Sequence, residues 1–158
     1  MATRGLGDNE VMETSRHGTA RMTEFRGQDG RVDAQDLDRE VLGRLQVELG
    51  GDHLALLQII RLFIDALDAH AAQIDDAAKD HELVMLARYA RHMRPGAEVL
   101  GAAALAGLLT AFEKFAESGD GAACQRLTGV FAQQVAKTHT IFHSLVDELD
   151  DAVPAGRA

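Results

Sequence analysis

The chain has 158 residues, with 16 Lys+Arg against 25 Asp+Glu for a formal net charge of −9 and an apolar fraction of 46%. That length and composition suit one globular domain with its own core, while the acidity argues against nucleic acid or an anionic membrane as partner. Aromatics are only 4% with no Trp, which disfavours stacking platforms for bases or sugars, and the single cysteine, Cys124, excludes an internal disulfide and a cysteine-built zinc site.

In chain order, residues 1–31 hold five of the fifteen Gly, five Arg, five acidic residues and no sustained apolar periodicity. They read as a flexible leader. Because that leader is charge-balanced, the whole excess of acid falls on residues 32–158. The N-terminus lacks the apolar core of a signal peptide and no run of 18 apolar residues occurs anywhere. A cytoplasmic protein without a membrane partner is therefore expected.

Residues 32–150 carry helix signals only. Leu37, Val41, Leu42, Leu45 and Leu49 form one apolar stripe, stopped by Gly50-Gly51. Asp52 then caps a long helix to about Lys79, with Leu56, Ile59/Ile60, Phe63, Leu67, Ala71, Ile74 and Ala78 inward. A third helix starts near Glu82 with Asp80 as its cap and turns Leu86, Tyr89/Ala90, Met93, Ala97 and Leu100 inward, ending at Gly101. The fourth covers about Ala103 to Glu117 through Leu105, Leu108/Leu109, Phe112 and Phe115. After the Ser118-Gly119-Asp120-Gly121 turn, with Asp120 as its cap, a fifth runs to Leu149 with Leu127, Val130/Phe131, Val135, Thr138, Ile141/Phe142, Leu145 and Leu149 inward. Residues 151–158 read as a flexible tail. Short connections make successive helices antiparallel neighbours, so the expected fold is all-α, an up-and-down four-helix bundle with a short leading helix. No apolar face is left over, which predicts a monomer.

The segment Leu86-Ala87-Arg88-Tyr89-Ala90-Arg91-His92-Met93-Arg94-Pro95-Gly96-Ala97-Glu98-Val99-Leu100-Gly101-Ala102, with the helix after it, resembles the histidine phosphotransfer (HPt) domain of bacterial two-component phosphorelays. That family's pattern is roughly L-A-R-x-A-H-x-L-K-G-S-A-x-x-[LV]-G-A. The resemblance extends over most of residues 36–149, including Leu37 to Leu42, Gly50-Gly51-Asp52 and Glu117 to Asp120. It implies a signalling module that docks the receiver domain of a response regulator or hybrid histidine kinase. The receiver would supply Mg²⁺ and most of the catalytic groups; the module needs no cofactor and is not itself an enzyme.

Two alignments compete at the phosphoacceptor. Without a gap, the acceptor position holds Arg91, the family lysine matches Arg94, the glycine becomes Pro95 and the serine becomes Gly96. With a one-residue deletion before Leu100, His92 takes the acceptor position and Gly96 the glycine. Helical phase puts Arg91 about 160° from the Met93 core direction and His92 about 100° from it, which favours the ungapped alignment. Chemistry favours the other. An acceptor must present a neutral nitrogen lone pair, which imidazole does near pH 7 and a guanidinium never does. Pro95, which removes an amide and clashes with the Arg91 carbonyl, offers a kink that would turn His92 outward.

His92 is thus the candidate phosphoacceptor, and Arg88, Arg91 and Arg94, spaced by three, are the candidate receiver- and phosphate-binding stripe. A degenerate adaptor or inhibitor that binds receivers without carrying phosphate is the alternative. A metal- or redox-responsive helical protein, using His139 and His143 at i, i+4 with Cys124, is an alternative of another class. Cys124 sits near a helix start, where a thiol pKa is lowered, but the favoured reading is a small, semi-buried packing residue. His53 and His70 read as surface residues, and Asp75-Asp76 and the carboxylates after Asp147 as solvated faces.

Overall fold

The computed structural model describes residues 36–152, and all of its regular elements there are helices. They are α1 (Arg39–Glu48), α2 (His53–Lys79), α3 (Leu83–Val99), α4 (Ala103–Glu117) and α5 (Gly121–Ala152). Among the described residues no helix is long and apolar enough to cross a membrane. The expected leader, 1–31, lies outside the described residues. So does the tail from residue 153, but Asp151 and Ala152 belong to α5 rather than to a tail.

Three aspartates start helices, Asp52 and Asp120 as their positions predict and Asp38 in addition. Asp38 Oδ1 accepts from the backbone amides of Glu40 at 3.0 Å and Val41 at 3.3 Å. Asp52 Oδ1 does the same for Leu54 at 2.9 Å and Ala55 at 3.2 Å, and Asp120 Oδ1 for Ala123 at 2.9 Å. Each satisfies amides that a helix leaves without partners. Asp80 is different. It closes α2 as its C-cap, and α3 starts at Glu82 with no side-chain cap.

All four helix-to-helix connections stop the preceding helix in one way. The backbone turns left-handed one residue past the cap, at Gly50, His81, Gly101 and Gly119. The next amide then reaches back to a carbonyl of the last turn: Gly51 to Gln46 and Glu82 to Ala77 at 2.9 Å, Ala102 to Ala97 and Asp120 to Phe115 at 2.8 Å. This is the Schellman pattern, which satisfies the orphaned carbonyls and normally takes glycine. His81 breaks the rule, with φ of 57°. Its Nε2 lies 3.0 Å from Gln125 Nε2 of α5, and its ring sits where a side chain at position 121 would be. The ring contact therefore offsets the backbone cost. Replacing His81 by Gly should give a protein about 1 kcal/mol more stable than replacing it by Ala, the reverse of the ordering inside a helix. Urea titration of the two variants measures the difference.

Each long helix packs on its chain neighbour, α2 on α3, α3 on α4 and α4 on α5, and α5 returns to α2. The shorter α1 touches α2 and α3. Between them lie Leu56, Ile60, Leu67 and Ile74 of α2, Leu86, Ala90 and Ala97 of α3, Leu105, Leu109 and Phe112 of α4, and Phe131, Thr138 and Phe142 of α5, all essentially inaccessible. Two edge-to-face pairs, Phe112 with Phe131 at 5.2 Å and Phe63 with Phe142 at 5.5 Å, add directional contacts across the core. Phe115 and Val130, expected inward, are exposed, because Phe112 and Phe131 already fill the α4–α5 seam.

The segment before α1 is fastened at two points. Buried Asp36 accepts from Gln134 Nε2 at 3.1 Å and pairs with Lys137 Nζ at 2.7 Å, both on α5. The Asp38 amide donates to the Gly101 carbonyl at 2.7 Å, just past α3. These contacts hold α1 against the end of the helix that carries His92.

Candidate functional site

Helix α3 presents its core side through Leu86, Ala87, Ala90, Met93 and Ala97. Because it packs on both α2 and α4, two flanks remain exposed, and the candidate site residues divide between them. Arg91 leans toward α4. Its Nε donates to Glu113 Oε1 at 2.9 Å, and its Nη2 donates to Glu117 Oε1. Arg94 joins the same carboxylate, Nη1 lying 3.2 Å from Glu113 Oε2, with a looser contact to Glu98. The Arg94–Glu113 contact lacks hydrogen-bond alignment, so it holds by charge more than by direction.

Glu113 is the pivot of this cluster. Its side chain is only 14% exposed and faces two guanidinium groups. The Glu113 carboxylate, and Glu117 after it, hold Arg91 more firmly in its charged form than a free arginine. Arg91 is exposed, as its helical phase predicted, but two α4 carboxylates hold it there. Arg88 lies on the same flank, in a groove with Leu83, Val84, Ala87, Ala116 and Glu117. Among the described residues no carboxylate pairs with it.

His92 lies on the opposite flank, toward α2, and is exposed. It lines a small depression with Phe63, Ala66, Leu67, His70, Met93 and Gly96. The volume is about 120 Å³, well below the roughly 300–1,000 Å³ of a small-molecule pocket. It is too small to enclose a free organic ligand. Gly96, one turn beyond His92, has the Phe63 ring below it, and a Cβ there would make ordinary contact at 3.5 Å. Pro95 lies within α3, whose helical geometry continues to Val99. The carbonyl of Arg91 loses its donor there, yet no break swings His92 away from α2.

His70 of α2 was not among the expected site residues. Its ring packs edge-to-face on that of His92, with centroids 5.4 Å apart and planes at 68°. Its Nδ1 lies 3.3 Å from Gln73 Oε1. Helical phase places each histidine on its helix flank, but only the register between α2 and α3 brings them together. Glu113 was also missed, although carboxylates four apart on α4 facing arginines three apart on α3 are a legible complement.

The residues of the metal or redox alternative do not converge. His139 and His143 stack at 5.0 Å, and His139 Nε2 lies 3.1 Å from Asp68 Oδ1 of α2. Cys124 lies about four turns away on the same helix, about 22 Å along the axis. Among the described residues no three metal-ligating side chains form a group.

The Cys124 thiol is buried, and its pKa is raised by burial first and by the Asp120 carboxylate second, not lowered by the start of α5. A thiol with a raised folded-state pKa favours folding below its ordinary value and loses that contribution as pH rises. Stability should therefore begin to fall above about pH 9, where the unfolded thiol ionises. Denaturant titrations at pH 8 and 10 should show a smaller fall in Cys124→Ala than in the parent protein.

Comparison with family models, with curated proteins and with solved structures found no match to this chain.

Proposed function

We propose that the described helices form an up-and-down four-helix bundle of HPt type, with α1 as its leading helix. The protein is a two-component signalling module that docks the receiver domain of a response regulator or hybrid histidine kinase. His92 is its phosphoacceptor. One observation carries this choice over Arg91. The imidazole is exposed at a depression whose lining includes no carboxylate, whereas Arg91 is bound by two glutamates of α4.

In the proposed transfer, a lone pair on a His92 ring nitrogen forms the P–N bond. The P–O bond to the receiver aspartate breaks, and the carboxylate leaves with the bonding pair. The proton on the other ring nitrogen stays or passes to water. Near-contact approach is required, and Gly96 beside His92 adds no side chain to obstruct it.

A second reading, a receiver-binding adaptor that carries no phosphate, draws on Pro95 and on the arginines. A proline ring stands on the exposed surface next to the acceptor, and Arg91 and Arg94 are already paired with Glu113. A panel of labelled, phosphorylated receivers separates the two, with products followed at neutral or alkaline pH because phosphohistidine is acid-labile. Label on the wild type that is lost in His92→Gln supports the carrier. Receiver binding without label supports the adaptor, and neither binding nor label removes both.

A further inference from the structure

We propose that His70 is the side chain that meets the phosphoryl group on His92, in place of Arg91 and Arg94. This rests on the reading of His92 as acceptor and names what holds the group there. Arg91 and Arg94 lie on the α4 flank of α3, tied to Glu113, while His92 lies on the α2 flank. A group bonded to His92 grows away from those guanidiniums and into the depression shared with His70. Its lining includes no Asp, Glu, Lys or Arg, so the two imidazoles are its only groups able to carry charge.

The two rings, 5.4 Å apart between centroids, leave His70 within reach of a tetrahedral group attached to its neighbour. Gln73 sets the polarity of His70. With Gln73 Oε1 accepting from Nδ1–H, an imidazolium at position 70 keeps Nε2–H for a phosphoryl oxygen. A charge-assisted hydrogen bond of this kind is short and directional and favours the dianionic group over the bare imidazole. His70 thereby sets how the phosphoryl group partitions between His92 and the receiver aspartate.

The test uses His70→Leu and His70→Arg in the full chain, with two measurements. In the first, equilibrium partition of label between receiver and protein should shift roughly tenfold toward the receiver in His70→Leu. His70→Arg should recover most of it. A packing role alone would not be rescued by arginine. The second measurement needs no receiver. The protein is phosphorylated with phosphoramidate, modification at His92 is located by mass spectrometry, and the ring ¹⁵N signals of His70 are recorded. They should move to the doubly protonated pattern when His92 carries phosphate. Unchanged His70 signals, failure of the reagent to modify His92, or equal partition in wild type and His70→Leu would each overturn the proposal. If no receiver delivers label but the His70 signals respond to reagent-made phosphohistidine, the relay reading falls and the contact between the two residues stands.

Discussion

Gly101→Ala unfolds the protein at markedly lower denaturant than the wild type, with a loss of about 3 kcal/mol or more and a fall in Tm of roughly 10 °C. Two costs combine. The backbone there has φ of 75°, a left-handed conformation that costs a residue with a Cβ about 1–2 kcal/mol. The added carbon would also stand 2.5 Å from the carbonyl oxygen of Asp38. That neighbour is backbone, held in place by its own amide donating to Gly101 and by the Asp38 cap on α1. It cannot rotate away as a side chain would. Relief requires separating α1 from the end of α3, which gives up the 2.7 Å hydrogen bond between them. Gly50→Ala is the matched control, since Gly50 has φ of 71° but nothing within 4 Å of the place its Cβ would take. It should cost about 1–2 kcal/mol, the conformational part alone. Urea unfolding of both variants measures the difference, and equal losses would show that the α1 contact contributes nothing.

Glycine spacing, aspartate caps and apolar stripes made most of this fold legible in advance. Asp52 and Asp120 cap the helices expected of them, and Ala103 to Glu117 has the predicted bounds. These features are local, so a single sequence carries them. The failures share a cause as well. His81 occupies a position that turn chemistry assigns to glycine, and what sustains it is Gln125, 44 residues away. Phe115 and Val130 lie beside apolar stripes whose edges depend on which neighbour arrives first. The surroundings of the site were hidden at the same level. Helical phase measured from Met93 treats the core as one direction, but α3 packs on two helices and its buried side is an arc that includes Ala87. On that wider arc, Arg91 and His92 become opposite flanks. Glu113 and Glu117 then draw Arg91 further toward α4, a pull that no property of α3 alone predicts. The pairing of His70 with His92 is likewise a matter of register between helices.

If His92 is the phosphoacceptor, His92→Gln should reduce phosphoryl transfer from a receiver by roughly a thousandfold or more, because the glutamine amide offers no nucleophilic nitrogen lone pair. The informative partner of that variant is Arg91→His, which restores histidine to the ungapped family position. On chemical type alone it should gain a second acceptor. On geometry it should not. A histidine there projects toward Glu113 and Glu117, which in the parent protein face the Arg91 guanidinium. Losing the cation leaves these carboxylates beside the imidazole, where they repel an approaching aspartyl phosphate. The expected result is transfer confined to His92 in Arg91→His, and no transfer in the double variant Arg91→His with His92→Gln. Arg91→Ala adds a further comparison, since it leaves Glu117 without its arginine and Glu113 with Arg94 alone, and offers no new nucleophile. If the double variant accepts label at position 91, the docking face is the α4 flank and the ungapped alignment locates it. If label is confined to His92 throughout, the receiver approaches from the α2 side, over Gly96 and His70. Arg91 and Arg94 then act as an internal tie between α3 and α4 rather than as a phosphate clamp.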